Sequence, residues 1–163
     1  MADSVSSVSS SSTNLVLSST LPVDTIDIAT LSSEEIKAIS TSEFSTLTTA
    51  QLALIQPESI PGLTSAQIAA MPTGSLATLS NDQVSQLTTT QLTSLKTSLL
   101  QELKPTQLQA MKSSQISGLQ QTQISSFTTL QISSLTQDQV AALTNPQVIS
   151  LTSIQIAALT TAQ

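Results

Sequence analysis

The sequence predicts an all-α solenoid in which each eight-residue repeat forms one very short helix, preceded by an extended N-terminal segment. Three observations support this prediction. Large apolar residues recur at two fixed positions of an octad, a hydroxyl residue and a Gln recur at two others, and Ser, Thr and Gln together make up 74 of the 163 residues. With 39% hydrophobic and only 9% charged residues, the chain also differs from ordinary disordered sequences.

The apolar pattern has a period of eight. With Leu31 as position 1 of the first octad, position 1, here called the anchor, is large and apolar at all 17 occurrences, and position 6 is so at all 16 from Ile36 onward. In one continuous helix the anchors would move by about 80° around the axis at each repeat, so a single long helix is excluded. In a continuous strand positions 1 and 6 face opposite sides. Only a strand buried on both sides, or one broken by a turn in every octad, could bury both series. A β-solenoid would want Gly, Asn or Asp at its turns, yet the octads contain only three Gly.

The polar residues favour helices. Thr or Ser follows the anchor in 11 of 17 octads, and Gln or Glu stands three residues later in 14 of 17, as in Thr152 and Gln155. This spacing predicts a capping box, in which the hydroxyl accepts from the third amide of the helix and the Gln or Glu accepts from the amide of the cap residue. The anchor and position 6 are then the two ends of a hydrophobic staple. Each octad is predicted to form a helix of about one and a half turns, stable only when stacked on its neighbours.

The prolines follow this pattern in part. Pro57 and Pro105 stand just after the cap position and Pro146 one residue later, where a missing amide is tolerated. Pro61 and Pro72 predict irregularity in the two octads that contain them. Positions 7 and 8 are mostly small residues, which predicts close approach between neighbouring helices.

The N-terminal part differs from the repeats. We divide the chain into a Ser-rich extended or flexible segment, residues 1–22, and an octapeptide-repeat solenoid, residues 23–163. Composition favours a flexible tail, but the apolar Leu15, Val16 and Leu17 could dock on a neighbouring subunit. The segment lacks the basic start and hydrophobic run of a secretory signal, and no apolar run in the chain approaches the 18 residues of a membrane span.

The C-terminal end carries no polar or divergent repeat after Leu159. Solenoids normally have such capping repeats, so an apolar end is expected to stack on another copy of the chain. A head-to-tail contact that does not close into a ring produces a filament. The alternative is that the sequence is a piece of a longer repeat protein, which would end in the same way.

Lysines replace the cap residue in three successive octads, at Lys96, Lys104 and Lys112. A lysine side chain cannot accept the capping hydrogen bond, so local stability is given up there. We expect these lysines to form a basic row on one edge of the stack. The row is either an ordinary solvated edge or a subunit contact with acidic residues near the N-terminal end, namely Glu34, Glu35 and Glu43.

Composition speaks against catalysis and cofactor binding. The chain has no His, Cys, Arg, Trp or Tyr, so we predict no catalytic, cofactor-binding or metal-binding residue and no enzymatic activity. Ten acidic residues against four Lys argue against nucleic acid as a partner. The acidic residues near the N-terminal end also lack the spacing of a calcium-binding loop.

Two runs of the repeat resemble a known type of sequence. Residues 63–70, Leu-Thr-Ser-Ala-Gln-Ile-Ala-Ala, and residues 151–159, Leu-Thr-Ser-Ile-Gln-Ile-Ala-Ala-Leu, resemble the Leu-Thr-Thr-x-Gln-Ile repeats of large bacterial surface proteins labelled adhesins or haem-utilisation proteins. The resemblance covers residues 31–163. It implies a secreted structural role at the cell surface, with export that needs no N-terminal signal. Haem binding finds no support, because the usual His, Cys and Tyr axial ligands are absent.

These observations predict a structural subunit of an extracellular or cell-surface filament, which assembles head-to-tail through uncapped solenoid ends. The predicted partner is another copy of the chain, with a host or neighbouring cell surface as a further possibility, and neither nucleic-acid binding nor membrane insertion is expected. The predicted subunit interface comprises Leu15, Val16, Leu17, Lys96, Lys104, Lys112 and Leu159. The alternative is an adhesive or spacer repeat module of a larger bacterial surface protein.

Overall fold

A computed structural model describes residues 27–159, and all regular structure within them is helical. The predicted extended segment 1–22, with Leu15, Val16 and Leu17, lies outside the described residues. Every octad from the one that begins at Leu31 to the one that begins at Leu151 contains one short helix, so the predicted all-α architecture with one helix per octad is confirmed.

A 3₁₀ helix, Ile28–Thr30, precedes the octads, and a second one, Pro57–Gly62, takes the place of an α-helix in the fourth octad. The α-helices are α1 Ser33–Ala38, α2 Thr41–Ser45, α3 Thr49–Leu52, α4 Ser65–Ala69, α5 Ser75–Thr78, α6 Asn81–Gln86, α7 Thr89–Ser94, α8 Thr97–Leu100, α9 Pro105–Ala110, α10 Ser113–Ser117, α11 Gln121–Ser125, α12 Thr129–Ser134, α13 Gln137–Ala141, α14 Asn145–Ser150 and α15 Ser153–Ala158.

Each inner helix stacks on the helix three octads before it and on the helix three octads after it. Thus α9 contacts α6 on one side and α12 on the other, while α7 contacts α4 and α10. Three octads, or 24 residues, therefore make one turn, and the solenoid has three sides. Successive octads lie on successive sides, so each helix finds its stacking partner one full turn away along the chain.

The predicted capping boxes are present. In the octad of α12, Thr128 Oγ1 accepts from the Gln131 amide at 3.2 Å, and Gln131 Oε1 accepts from the Thr128 amide at 3.0 Å. Complete boxes of this kind begin at Ser32, Ser40, Thr48, Thr64, Ser80, Thr88, Thr128, Thr136, Thr144 and Thr152. Each box satisfies two amides that a short helix would otherwise leave without partners.

The core is one continuous column built from anchors and position-6 residues. The position-6 side chains are fully buried, at 0% exposure, in every octad from Ile36 to Ile132. The anchors around them are also buried, from Leu31 at 9% to Leu47 at 2%. Because consecutive turns share this column, the hydrophobic effect favours stacking of each turn on the next.

Both octads expected to be irregular are so. The octad that begins at Ile55 forms the 3₁₀ helix with Pro61 inside it. In the octad that begins at Met71, Pro72 stands at the cap position, and α5 starts late, after Gly74. Gly74 has a φ of 87°, a left-handed conformation that favours glycine.

The predicted close approach of helices is most severe at Gly62. A Cβ atom at this position would overlap the backbone carbonyl of Ser33, which lies on the stacked helix α1. At Gly118 the nearest atom to an added Cβ would be Thr89 Cγ2, at 2.7 Å, the end of a side chain that can rotate. Only glycine therefore fits at Gly62 without movement of the backbone.

We expect Gly62→Ala to lower the free energy of unfolding by about 1–3 kcal/mol, because α1 and the 3₁₀ helix must move apart. Gly118→Ala should cost less, because the Thr89 side chain can turn away. Urea unfolding of both variants, followed by circular dichroism, gives the comparison. An equal or smaller loss at Gly62 would contradict the close backbone contact.

Candidate functional site: glutamine ladders and the two end faces

The Gln at position 5 has a second role that sequence analysis missed. Gln67 shows it clearly. Its Oε1 accepts from the Thr64 amide at 2.7 Å, as the capping box requires, while its Nε2 donates to the carbonyls of Ile36 and Ile39, both at 2.8 Å. These carbonyls belong to the preceding turn, 31 and 28 residues earlier. One side-chain amide therefore starts its own helix and also joins its turn to the turn before.

The same arrangement recurs along the solenoid. In each case Oε1 accepts from the cap residue of its own octad, and Nε2 donates to at least two carbonyls 28 to 31 residues earlier. We call these residues the ladder glutamines. They are Gln67, Gln83, Gln91, Gln107, Gln115, Gln123, Gln131, Gln139, Gln147 and Gln155, all buried. A buried amide is favourable only when its donors and acceptor are satisfied, and the ladder meets that condition.

Three inner octads have no Gln at position 5 and so lack the side-chain amide of the ladder. Ser59 Oγ donates to the Leu31 carbonyl at 2.7 Å, so it keeps one bond across the turn. Ser75 Oγ instead donates to Pro72 within its own octad, and Leu99 is apolar and buried. Ser75 and Leu99 stand three octads apart on the same side, so the ladder on that side is interrupted in two successive turns.

A carboxylate compensates in part for this interruption. Glu102 Oε1 accepts from the Gly74 amide at 2.8 Å, so a residue of the next turn caps α5, which has no hydroxyl cap of its own. The other oxygen, Oε2, is buried without a hydrogen-bond partner in the described part of the chain. The irregular octad is thus held through its stacked neighbour.

The signal that could have revealed the ladder is the choice between Gln and Glu. A capping box accepts either residue, since only an oxygen is needed. The sequence nevertheless has Glu at position 5 only in the first two octads, at Glu35 and Glu43, and has Gln51 in the third. Those octads have no earlier turn among residues 27–159. In later octads the side-chain N–H groups of Gln donate to carbonyls of the preceding turn. An ionised carboxylate has no N–H or O–H group and cannot make these hydrogen bonds.

The N-terminal turn therefore presents acceptors where inner turns present donors. Glu35 Oε2 accepts from the Ser32 amide at 2.9 Å and the Ser32 hydroxyl at 2.7 Å, and Glu43 Oε2 accepts from Ser40 in the same way, at 3.1 and 2.6 Å. Within residues 27–159 the second oxygen of each carboxylate, Oε1, accepts no hydrogen bond. It stands in place of the Nε2 of a ladder glutamine.

Both carboxyl groups have lowered pKa values. For Glu35 the hydrogen bond from the Ser32 backbone amide is the largest cause, followed by the Ser32 hydroxyl. For Glu43 the Ser40 hydroxyl lowers the pKa most, followed by the backbone amide. Both groups are therefore ionised at neutral pH, and the capping boxes that they form weaken as the pH falls through the pKa values of the folded protein.

The C-terminal turn has an apolar surface. Val148 and Ile156, both at position 6, are 45% and 51% exposed, whereas the equivalent residues from Ile36 to Ile132 are fully buried. Val140 and Leu159 are partly buried against the core. No ladder amide among the described residues reaches the carbonyls of this turn. We call this surface, from Val140 to Leu159, the C-terminal face.

The lysines at the cap position do not form the expected row. Because helices three octads apart stack, the starts of α8, α9 and α10 lie on three successive sides of the solenoid. The prediction of a basic row on one edge is therefore wrong, and the exposed Lys96, Lys104 and Lys112 form a ring. This ring lies about two turns from Leu159, so the structure does not bring these predicted interface residues together.

The capping boxes at Lys104 and Lys112 are half-formed, and the octad of Lys96, with Leu99 at position 5, has none. The backbone amides of Lys104 and Lys112 donate to Gln107 and Gln115 Oε1 at 2.7 and 2.6 Å, but neither lysine side chain makes a capping bond. The expected loss of the hydroxyl cap at these positions is confirmed.

Other features of the described part are less suggestive of a site. Two shallow grooves lie between stacked octads, one of about 510 Å³ beside Pro146 and one of about 290 Å³ beside Pro61. Residues 27–159 hold no group of three or more acidic, His or Cys side chains placed to bind a metal ion. In the same part of the chain, every helix falls short of the length and apolar content that a membrane span requires.

The chain matches no known protein family, no curated protein and no solved structure. The resemblance to bacterial surface repeats therefore stays a prediction from the sequence.

We expect Gln91→Glu to destabilise the protein by about 3–5 kcal/mol, because it buries a charge against two carbonyls. Burial raises the pKa of such a carboxyl in the folded protein, so the loss should shrink as the pH falls from neutral toward about 4, near the ordinary pKa of Glu, and change little below it. Gln51→Glu is the matched control, since Gln51 has no earlier described turn, and it should cost little. Chemical unfolding at several pH values measures both variants. Equal losses would show that the ladder does not depend on the amide.

We expect Lys112→Thr to stabilise the protein by about 1 kcal/mol, because the hydroxyl would complete the capping box with Gln115. Lys112→Gln, which removes the charge without adding a hydroxyl cap, separates the two effects. Thermal unfolding measures the difference, and equal stability of the two variants would contradict the capping explanation.

Proposed function

We propose that the chain is a structural subunit that assembles head-to-tail into a filament, with the C-terminal face of one copy against the N-terminal turn of the next. The observation that carries this proposal is the exposure of Val148 and Ile156 at a position that is fully buried in every octad from Ile36 to Ile132. Apolar side chains that are exposed together at a position otherwise confined to the core are typical of an interaction site.

What covers the position-6 side chains inside the molecule indicates what would cover them at the C-terminal face. In inner turns, the next turn of octads buries these side chains and supplies ladder amides to their carbonyls. The C-terminal face therefore suits another solenoid turn in both shape and hydrogen bonding. A second copy of the chain offers such a turn, and because the two contacting surfaces differ, repeated addition gives an open filament.

If the octad repeat continues without a break across the joint, the first three octads of the next copy would stack on the C-terminal face as one inner turn stacks on the turn before it. Glu35 would stand against the carbonyls of Val140 and Leu143, Glu43 against the next pair, and Gln51 against the pair at Ile156 and Leu159. Gln51 alone can donate at neutral pH. Apolar burial would therefore have to supply most of the stability of this joint.

The other predicted interface residues take different places in this proposal. Leu15, Val16 and Leu17 lie outside the described residues, so their place at a subunit contact stays a prediction from the sequence. The lysine ring lies too far from the C-terminal face to meet the next copy end-on, so a contact between these lysines and the acidic N-terminal turn would have to be lateral, between neighbouring filaments.

A structural role rather than catalysis also follows from composition, since His, Cys and Arg are absent from the whole chain. By resemblance to bacterial surface repeats, we propose that the filament is secreted and extracellular or bound to the cell surface.

The second candidate function is a spacer or adhesive module of a larger surface protein. The acceptors at Glu35 and Glu43 favour it, because they oppose a head-to-tail joint at neutral pH. In such a protein the C-terminal face would be covered by further octads of the same chain. Electron microscopy of the purified chain from pH 3 to pH 8 separates the two: fibres of uniform width at any of these pH values support the filament, and short monodisperse rods at all of them support the module.

We expect Val148→Lys together with Ile156→Lys to abolish filaments, because each ammonium group stays charged from pH 3 to pH 8 and would be desolvated at the joint. Leu130→Lys is the matched control: Leu130 is 65% exposed on the side of the solenoid, away from the C-terminal face, and its replacement should leave assembly intact. Sedimentation and electron microscopy give the readout, and circular dichroism checks folding. Filaments that persist in the double variant would refute a joint at this face.

A further inference from the structure

We infer that the carboxylates of Glu35 and Glu43 hold the head-to-tail joint open at neutral pH, so that the N-terminal turn accepts the C-terminal face of another copy only when they are protonated. This inference rests on the proposed filament. Its basis is the ladder position itself, where every glutamine of the inner turns donates to two carbonyls and these two residues carry oxygen instead of nitrogen.

The hydrogen-bond chemistry of the two turns is mismatched. The C-terminal face offers carbonyl oxygens, which are acceptors only, and ionised Glu35 and Glu43 are also acceptors only. An oxygen-to-oxygen contact without a proton leaves both groups desolvated and unpaired, which costs more than the contact gains. Protonation at Oε1 adds one O–H donor to each carboxyl group. The protonated side chain can then donate to a carbonyl as Nε2 does, while Oε2 continues to accept from the cap residue.

The surrounding charges do not provide the missing donors. Glu34 and Lys37 lie on the same helix as Glu35, Asp27 precedes it, and the 3₁₀ helix stacked on α1 adds Glu58. Helix α4, which packs against α2, has no titratable side chain. Across the joint, α13 carries Asp138, and α14 and α15 carry no charge. Acidic side chains outnumber basic ones on both sides of the joint, so the surrounding charges disfavour ionised carboxylates there.

The direction of the pH effect follows from linkage. The hydrogen bonds from Ser32 and Ser40 keep the pKa values of both carboxyl groups low in the free subunit. A joint that requires the protonated form raises these pKa values on assembly, so assembly takes up protons and strengthens as the pH falls. We expect filaments of the natural sequence below about pH 4 and separate subunits at pH 7.

The test replaces both residues in the full chain. Glu35→Gln with Glu43→Gln restores the ladder amide and keeps the capping boxes, as Gln51 shows at the same position. We expect this variant to form filaments at pH 7 to the extent that the unaltered chain does near pH 4. Gln51→Glu replaces the one remaining amide donor of the N-terminal turn with a carboxylate, so it should move assembly to lower pH. Sedimentation and electron microscopy across pH 3 to pH 8 measure both, with circular dichroism as the check on folding.

The matched control is Glu34→Gln with Glu58→Gln, which removes the same charge from exposed positions off the ladder. It should keep the acid dependence of the unaltered chain. If this control shifts assembly as far as the ladder variant does, net charge acts rather than the ladder position. If the ladder variant keeps the pH midpoint of the unaltered chain, the two carboxylates do not control the joint. Either result overturns the inference while the filament stands. If no version assembles at any pH, the head-to-tail proposal itself is overturned.

Discussion

The structure depends on the bifunctional amide at position 5 of the octad. Its oxygen caps the start of a helix by accepting a hydrogen bond from the amide of the cap residue. Its nitrogen donates hydrogen bonds to carbonyls of the preceding turn, as Gln67 does to Ile36 and Ile39. A helix of four to six residues forms few hydrogen bonds of its own and is unstable alone. The ladder satisfies polar groups at both ends of these helices, so local structure and stacking form together. The apolar column supplies the driving force, and the amides restrict it to one register.

This interaction also makes the two ends of the solenoid different. Each turn donates toward the N-terminal side and accepts on the C-terminal side. The described N-terminal turn departs from this rule through Glu35 and Glu43, which satisfy their own capping boxes without offering donors. The C-terminal turn keeps its carbonyls and exposes Val148 and Ile156. One face is therefore suited to receive another turn, and the other opposes contact with carbonyls while its carboxylates are ionised.

Much of the local structure was predictable because its causes are local. A cap hydroxyl at Thr128 and an amide at Gln131 are three residues apart, and their mutual hydrogen bonds need no other part of the chain. The irregularity around Pro72 was predictable for the same reason, since proline there replaces the cap residue. The prediction of a lysine row is wrong because octads adjacent in sequence do not share one edge of the solenoid. Three octads per turn place those lysines on three sides instead.

By itself, the sequence determined the helical octad, the capping boxes, the hydrophobic staple and the two positions that form the core. These follow from spacing within eight residues, over which backbone geometry allows few arrangements. Only the tertiary structure decided that three octads make a turn, that the Gln at position 5 also donates to carbonyls of the preceding turn, and that Glu102 caps a helix of the neighbouring turn. Those features join residues 28 to 31 apart, and nothing within one octad specifies which distant carbonyl a side-chain amide will meet.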